Sequence, residues 1–188
     1  MSTAEVFRRI VTALDHAGLA YMLTGSFASS YYGAPRSTQD IDLVIEATSV
    51  GLRQFVQGLP SAEYYVDLEA AMSAHRVESL FNVIDLSAGW KIDLIIRKSR
   101  AFSREEFRRR QRVQLQGFSL FVASAEDVVI AKLEWSKLAQ SQRQIEDVAA
   151  ILRVRFDALD RSYLATWIPQ LSLEKEWRDA LQAAAIQP

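Results

Sequence analysis

The 188-residue chain contains no cysteine, which excludes disulfide frameworks, thiolate zinc sites and cysteine nucleophiles. Histidine is nearly as scarce. His16 and His75 are the only two, lie far apart and have no metal-ligand spacing. Neither sign of charge dominates: 22 lysines and arginines stand against 23 aspartates and glutamates, for a formal charge of −1. The global charge therefore gives no reason to expect a strong unspecific hold on nucleic acid. Long apolar runs are also missing, since the longest stretches are a handful of residues, against the roughly 20 needed to cross a bilayer. The amino-terminal Met1–Arg9 reads as the start of an amphipathic helix and not as a signal peptide. These absences predict a cytoplasmic protein with no membrane partner. What is present, 49% hydrophobic and 24% charged residues, suffices for a packed core. The length fits one compact domain, or one with a helical extension.

Periodicity alternates between helix and strand through about residue 122 and is helical beyond it. Val6, Ile10, Val11 and Leu14 recur at helical spacing, with Gly18 placed to end that helix. Residues 19–24 are short and apolar, Phe27–Tyr32 suits a tightly packed helix, and Gly33-Ala34-Pro35 forces a loop. Ile41–Ile45 reads as a buried strand. A helix is expected over 50–57, a short strand over 64–66 and a brief helix over 68–74. Strands over 77–86 and 90–97 are joined by Ser87-Ala88-Gly89 as an antiparallel hairpin. Ser103 with Glu106 has the spacing of a capping box for a basic helix through Arg110, and 113–122 forms a second hairpin turning near Gln116-Gly117. Ser124 with Asp127 opens a helix to about Leu138. Further helices follow near 141–153, 162–168 and 172–184. The expected fold is α+β: a mixed, mainly antiparallel sheet flanked by helices over residues 1–123, with a helical segment over 124–188 packed on that core.

The chemistry concentrates in Gly25-Ser26 and, after thirteen intervening residues, Asp40-Ile41-Asp42 within an apolar strand. Residues two apart on a strand share a face, so Asp40 and Asp42 should present their carboxylates side by side. Unless one is protonated or hydrogen-bonded, such a pair needs a cation, and an all-oxygen ligand set favours Mg²⁺ or Mn²⁺ completed by phosphate oxygens. Gly25-Ser26 offers a backbone open to close approach, with amides and a hydroxyl for phosphates at a helix start. Asp93 is the single anion of a second apolar strand, Trp90–Ile96. If its strand lies beside that of Asp42, three carboxylates converge as metal ligands, with Asp93 serving a catalytic ion or acting as the base.

These residues resemble the nucleotidyltransferase superfold of DNA polymerase beta and the antibiotic nucleotidyltransferases. More narrowly, the chain is similar to nucleotidyltransferase toxins of the AbiEii/AbiGii type. The matching text is Gly25-Ser26-Phe27-Ala28, Tyr32-Gly33, Arg36-Ser37-Thr38-x-Asp40-Ile41-Asp42-Leu43, Lys91–Ile95, and Ser124-Ala125-Glu126-Asp127 leading to Lys132 and Arg143-x-x-x-Asp147. The resemblance implies an enzyme that moves a nucleoside monophosphate from an NTP to an acceptor hydroxyl. Gly25 and Ser26 would bind phosphates, Asp40 and Asp42 Mg²⁺, and Asp93 would activate the acceptor. Lys132 would reach the triphosphate or the leaving pyrophosphate, with Arg143 and Asp147 organising its helix pair. It further implies tRNA or another macromolecule as acceptor and a possible antitoxin partner. The alternatives are a small-molecule, antibiotic-type transferase and a non-catalytic nucleotide- or partner-binding module.

Several of these residues carry a second reading. Lys132 shares a helix with Val128, Val129 and Leu133, where a snorkelling side chain covering the core is equally natural. Arg143 and Asp147 have the spacing of a simple i,i+4 ion pair. The basic stretch from Arg97 to Arg112 suits an RNA acceptor or an ordinary solvated face. Arg36 and Lys91 are placed to balance the acids or to contact nucleotide. Trp135, Trp167 and Trp177 read as core.

Overall fold

In the computed structural model, residues 2–35, 37–115 and 117–186 are described. They form two compact units, residues 1–24 with 38–122, and residues 25–37 with 123–188. Arg36, named above as a nucleotide contact, and Gln116, at the second hairpin's turn, lie outside the described residues.

The first unit is built on one seven-stranded sheet. Its strands are β1 (Ala20–Leu23), β2 (Asp40–Glu46), β3 (Tyr64–Val66), β4 (Leu80–Asp85), β5 (Trp90–Ile96), β6 (Gln111–Leu115) and β7 (Phe118–Val122), in the spatial order β3-β4-β5-β2-β1-β7-β6. Both expected hairpins, β4–β5 and β6–β7, are present and antiparallel, as are β1–β2 and β3–β4. The pairs β2–β5 and β1–β7 are parallel. The sheet is therefore mixed and mainly antiparallel. Its register follows from alternation: Ile41, Leu43 and Ile45 on β2 and Ile92, Leu94 and Ile96 on β5 are all buried, and a slip of one residue would turn both sets outward.

Four helices belong to this unit: α1 (Thr3–His16), α3 (Ser49–Gly58), α4 (Leu68–Val77) and α5 (Ala101–Arg108), the label α2 being kept for Gly25–Tyr32 below. A capping box of Ser2 with Glu5 starts α1, whose Val6, Ile10 and Leu14 are buried as their spacing predicts, and α1 packs on β1, β7 and α3. Two expectations need correction. Helix α4 runs to Val77 and closes on Glu78 in the left-handed region, so β4 begins at Leu80 and not at Val77. Ser103 is not a cap: α5 starts one turn earlier after Arg100, and the buried Ser103 hydroxyl accepts from Arg100 Nε at 3.0 Å. The helix begins after Arg100 without a side-chain cap hydrogen bond, so Ser103 and Glu106 fall inside it, where both are buried.

The second unit is helical: α2 (Gly25–Tyr32), α6 (Ala125–Ala139), α7 (Gln142–Arg155), α8 (Arg161–Gln170) and α9 (Glu174–Ala183). Here the sequence division at residue 123 differs from the structure, because α2 packs with α6 and α7. Small residues make that close approach possible. A Cβ on Gly33 would lie 2.9 Å from the backbone nitrogen of Ile151, so Gly33→Ala is expected to destabilise the chain by about 1–3 kcal/mol, measured as a lower urea midpoint. Tyr32, also buried, donates its hydroxyl to the carbonyl of Ala123 at 2.8 Å. Burial pushes that phenol well above its ordinary range. The unfolded chain ionises Tyr32 from about pH 10, so the stability of the buried neutral phenol is lost as pH rises beyond that value. Tyr32→Phe should flatten this alkaline limb of a stability–pH curve. Ser124 caps α6 as predicted, accepting from the Asp127 amide at 3.2 Å. Among the described residues, no helix is long and apolar enough to cross a membrane.

Candidate functional site

Strand pairing decides which acids meet. Across the parallel β2–β5 pair, Asp42 stands opposite Asp93 and Asp40 opposite Lys91; across β4–β5, Asn82 stands opposite Asp93. Since alternate residues share a face, Asp40, Asp42, Lys91, Asp93 and Asn82 all lie on the face opposite the buried Ile41, Ile92 and Val83. One row runs Asn82–Asp93–Asp42 across three strands. The three aspartates named from the sequence thus share one side of the first unit. The Thr24 amide, at the end of β1, donates to the Asp42 carbonyl at 2.9 Å and continues that row's backbone pairing.

The row sits at the margin of the core. Asp93 is 15% exposed and Asp40 56%. Asn82 donates its side-chain amide to Oδ1 of Asp93. Lys91 Nζ lies 3.0 Å from Oδ2 of Asp93 and 3.8 Å from Oδ1 of Asp40. The hydrogen bond to Asp93, joined by the fields of Asp93, Asp40 and Asp42, holds the Lys91 ammonium above its usual range despite partial desolvation. A lysine flanked in this way remains charged throughout the neutral range.

These residues suit a hard divalent ion in part. The three carboxylates offer the oxygen ligands that Mg²⁺ prefers, and Asp40 and Asp42 share a strand face. Among the described residues, however, no three His, Asp or Glu side chains are grouped closely enough to hold a metal ion. Asp93 faces protein donors on both oxygens. The arrangement fits an ion held by one or two carboxylates and completed by phosphate and water, which is the usual habit of Mg²⁺.

The remaining sequence candidates lie in the second unit. Gly25 opens α2 at φ +63°, a conformation open to glycine at no steric cost, and the Ser26 carbonyl accepts from Ser29 Oγ at 3.0 Å. Lys132 is 5% exposed at its side chain, and its ammonium donates to Asp147 Oδ2 at 2.7 Å and Gln144 Oε1 at 2.9 Å. It joins α6 to α7. The Asp147 carboxylate therefore meets Lys132, while Arg143, the i,i+4 partner expected from sequence, is exposed. Glu126 and Asp127 have similar duties. The Glu126 carboxylate accepts the Asp160 amide at 2.9 Å, and the buried Asp127 accepts the Tyr163 hydroxyl at 2.6 Å, tying the start of α6 to α8.

The basic stretch is largely engaged by its own surroundings. Arg97 pairs with Glu46 at 2.6 Å, Arg108 with Glu105 at 2.6 Å, Arg104 donates to the Ser99 carbonyl, and Arg112 donates to Ser119 Oγ at 2.8 Å. Of the tryptophans, Trp135 is 51% exposed and not core. Trp177 is half-buried and lines a mainly apolar cavity of about 520 Å³ with Phe156, Leu164, Ile168 and Leu181. Sequence reasoning missed Asn82 altogether and gave Lys91 only a secondary place. Lys91 had a signal, its position two residues from Asp93 on the same strand. Asn82 had none, because only the hairpin register brings it to Asp93.

No family model matches the chain, and no curated protein matches it in sequence. Solved structures do. The chain is similar to ANT(2″)-Ia, solved in complex with adenylyl-2″-tobramycin, at TM-score 0.61 and 12% identity, over 92% of this chain and 98% of that one. The solution structure of the antibiotic-resistance factor ANT(2″)-Ia matches at TM-score 0.54 and 13% identity, over 97% and 96%. An antigenic nucleotidyltransferase-like protein from Paracoccidioides brasiliensis matches at TM-score 0.50 and 16% identity, over 95% and 92%. At such identities the shared property is the fold, and this chain has the α+β fold of nucleotidyltransferases.

Proposed function

We propose that this chain is a Mg²⁺-dependent nucleotidyltransferase that moves a nucleoside monophosphate from an NTP to an acceptor hydroxyl. The observation that carries the reading is the opposition of Asp42 and Asp93 across β2 and β5, with Asp40 on the same face. Asp40 and Asp42 would hold the magnesium ion, which supplies charge neutralisation for the triphosphate when bound. For Gly25 and Ser26, at the start of α2, the phosphate-binding role is the one that the sequence resemblance implies. Asp93 orients the acceptor hydroxyl and takes its proton. The acceptor oxygen forms a bond to the α-phosphorus, the bond from that phosphorus to the bridging oxygen of the β-phosphate breaks, and pyrophosphate leaves. The protein's contribution is positioning and charge.

Two acceptor classes have support. The sequence resemblance to nucleotidyltransferase toxins favours tRNA or another macromolecule, with an antitoxin as partner. The pairing of Arg97 with Glu46 and of Arg108 with Glu105 neutralises part of the basic stretch, and the likeness to ANT(2″)-Ia, solved in complex with adenylyl-2″-tobramycin, favours a small molecule. Incubation with α-labelled NTPs and Mg²⁺, in the presence of total RNA, protein or a small-metabolite and antibiotic panel, tests the reading. Label on RNA supports the first class and label on a small molecule the second. Nucleotide binding with no transfer to any of them contradicts the enzyme and leaves a binding module.

A further inference from the structure

In two-metal phosphoryl-transfer sites a second divalent ion shares the carboxylates and acts on the attacking oxygen. That ion would need Asp93 here. Both oxygens of Asp93 are instead met by protein donors, Oδ1 by the Asn82 amide and Oδ2 by the Lys91 ammonium at 3.0 Å. The same ammonium reaches to 3.8 Å from Asp40, so a fixed positive charge stands between the outer acid and the acid opposite Asp42. A dication set against Asp93 would have to displace Lys91 and overcome its charge at close range. Strand register fixes the arrangement: Lys91 is paired with Asp40, and Asp93, two residues on along the same face, is paired with Asp42. At 43% exposure the Lys91 side chain is neither buried nor loose, which lets a permanent charge persist there without full desolvation.

We propose that Lys91 is a built-in substitute for the second divalent ion, so that the site takes a single Mg²⁺, with Asn82 holding Asp93 towards the lysine. This rests on the reading of the sheet face as a metal–nucleotide site, and the test separates the two. Mn²⁺ is titrated into the full chain with a non-hydrolysable α,β-methylene NTP, and electron paramagnetic resonance distinguishes isolated ions from a dipole-coupled pair. Wild type and Lys91→Arg should show isolated Mn²⁺ up to saturation. Lys91→Met should show the coupled pair. Lys91→Gln, a second neutral variant, should do the same, and circular dichroism checks that each is folded. A coupled pair in the wild type, or isolated ions in both folded neutral variants, overturns the proposal while leaving the metal–nucleotide site standing. No bound Mn²⁺ in the wild-type nucleotide complex overturns both.

Discussion

Lys132→Met should destabilise the chain by roughly 3–5 kcal/mol, the usual consequence of removing one partner from a buried ion pair. The Lys132 side chain is 5% exposed and the Asp147 side chain it meets is 11% exposed, so methionine would leave that anion in a poorly hydrated place between α6 and α7. Gln144, which accepts from the same ammonium, would lose its partner as well. The physical cause predicts a rescue: Lys132→Met combined with Asp147→Leu should recover most of the loss, because apolar side chains of similar volume commonly replace a buried pair at little cost. Chemical denaturation of the wild type, both single variants and the double variant measures this. A single variant as stable as wild type would show that the pair does not hold the two helices, and an equally unstable double variant would show that charge burial is not the cause.

Asp42→Asn should lower nucleotidyl transfer by roughly 10³-fold, the scale of losing a principal electrostatic contact to the reacting phosphates. Asparagine keeps the shape and removes the charge. Asp42 lies on the open side of β2, half-buried, while Ile41 and Leu43 on either side carry the packing. Melting temperature should therefore change little while turnover collapses. Asp93→Asn should lower transfer by a comparable factor, with a smaller effect on nucleotide affinity, since its assigned duty concerns the acceptor. A loss of stability parallel to the loss of transfer would place Asp42 in the framework and not in the chemistry.

Much of the site was legible in the residues because strands obey a period of two. Ile41, Leu43 and Ile45 alternate with Asp40, Asp42 and Val44, so the acid-bearing face of β2 could be read directly. Trp90–Ile96 carried the same pattern around Asp93. What the pattern cannot give is which strands are neighbours. The parallel pairing of β2 with β5 spans some fifty residues of chain and depends on the packing of the whole sheet. Asn82 illustrates the consequence: it is an unremarked polar residue of a hairpin until register sets it beside Asp93. In the helical half, Ser124 and Asp127 announced their cap because capping is local, whereas the pairing of Lys132 with Asp147 required knowing that α6 and α7 lie antiparallel and close. The exposure of Trp135 likewise depends on which side of α6 its neighbours leave uncovered, and helical spacing alone does not say.

The central claim, that the Asp40–Asp42–Asp93 face is a magnesium-dependent nucleotide site, is tested most directly by calorimetry with a non-hydrolysable NTP analogue. Titrations are run with Mg²⁺, with EDTA in its place, and with Asp42→Asn in Mg²⁺. The account predicts saturable binding in the first and none, or at least tenfold weaker binding, in the other two. Equal affinity in all three, or no binding to the folded wild type with Mg²⁺ present, would contradict it.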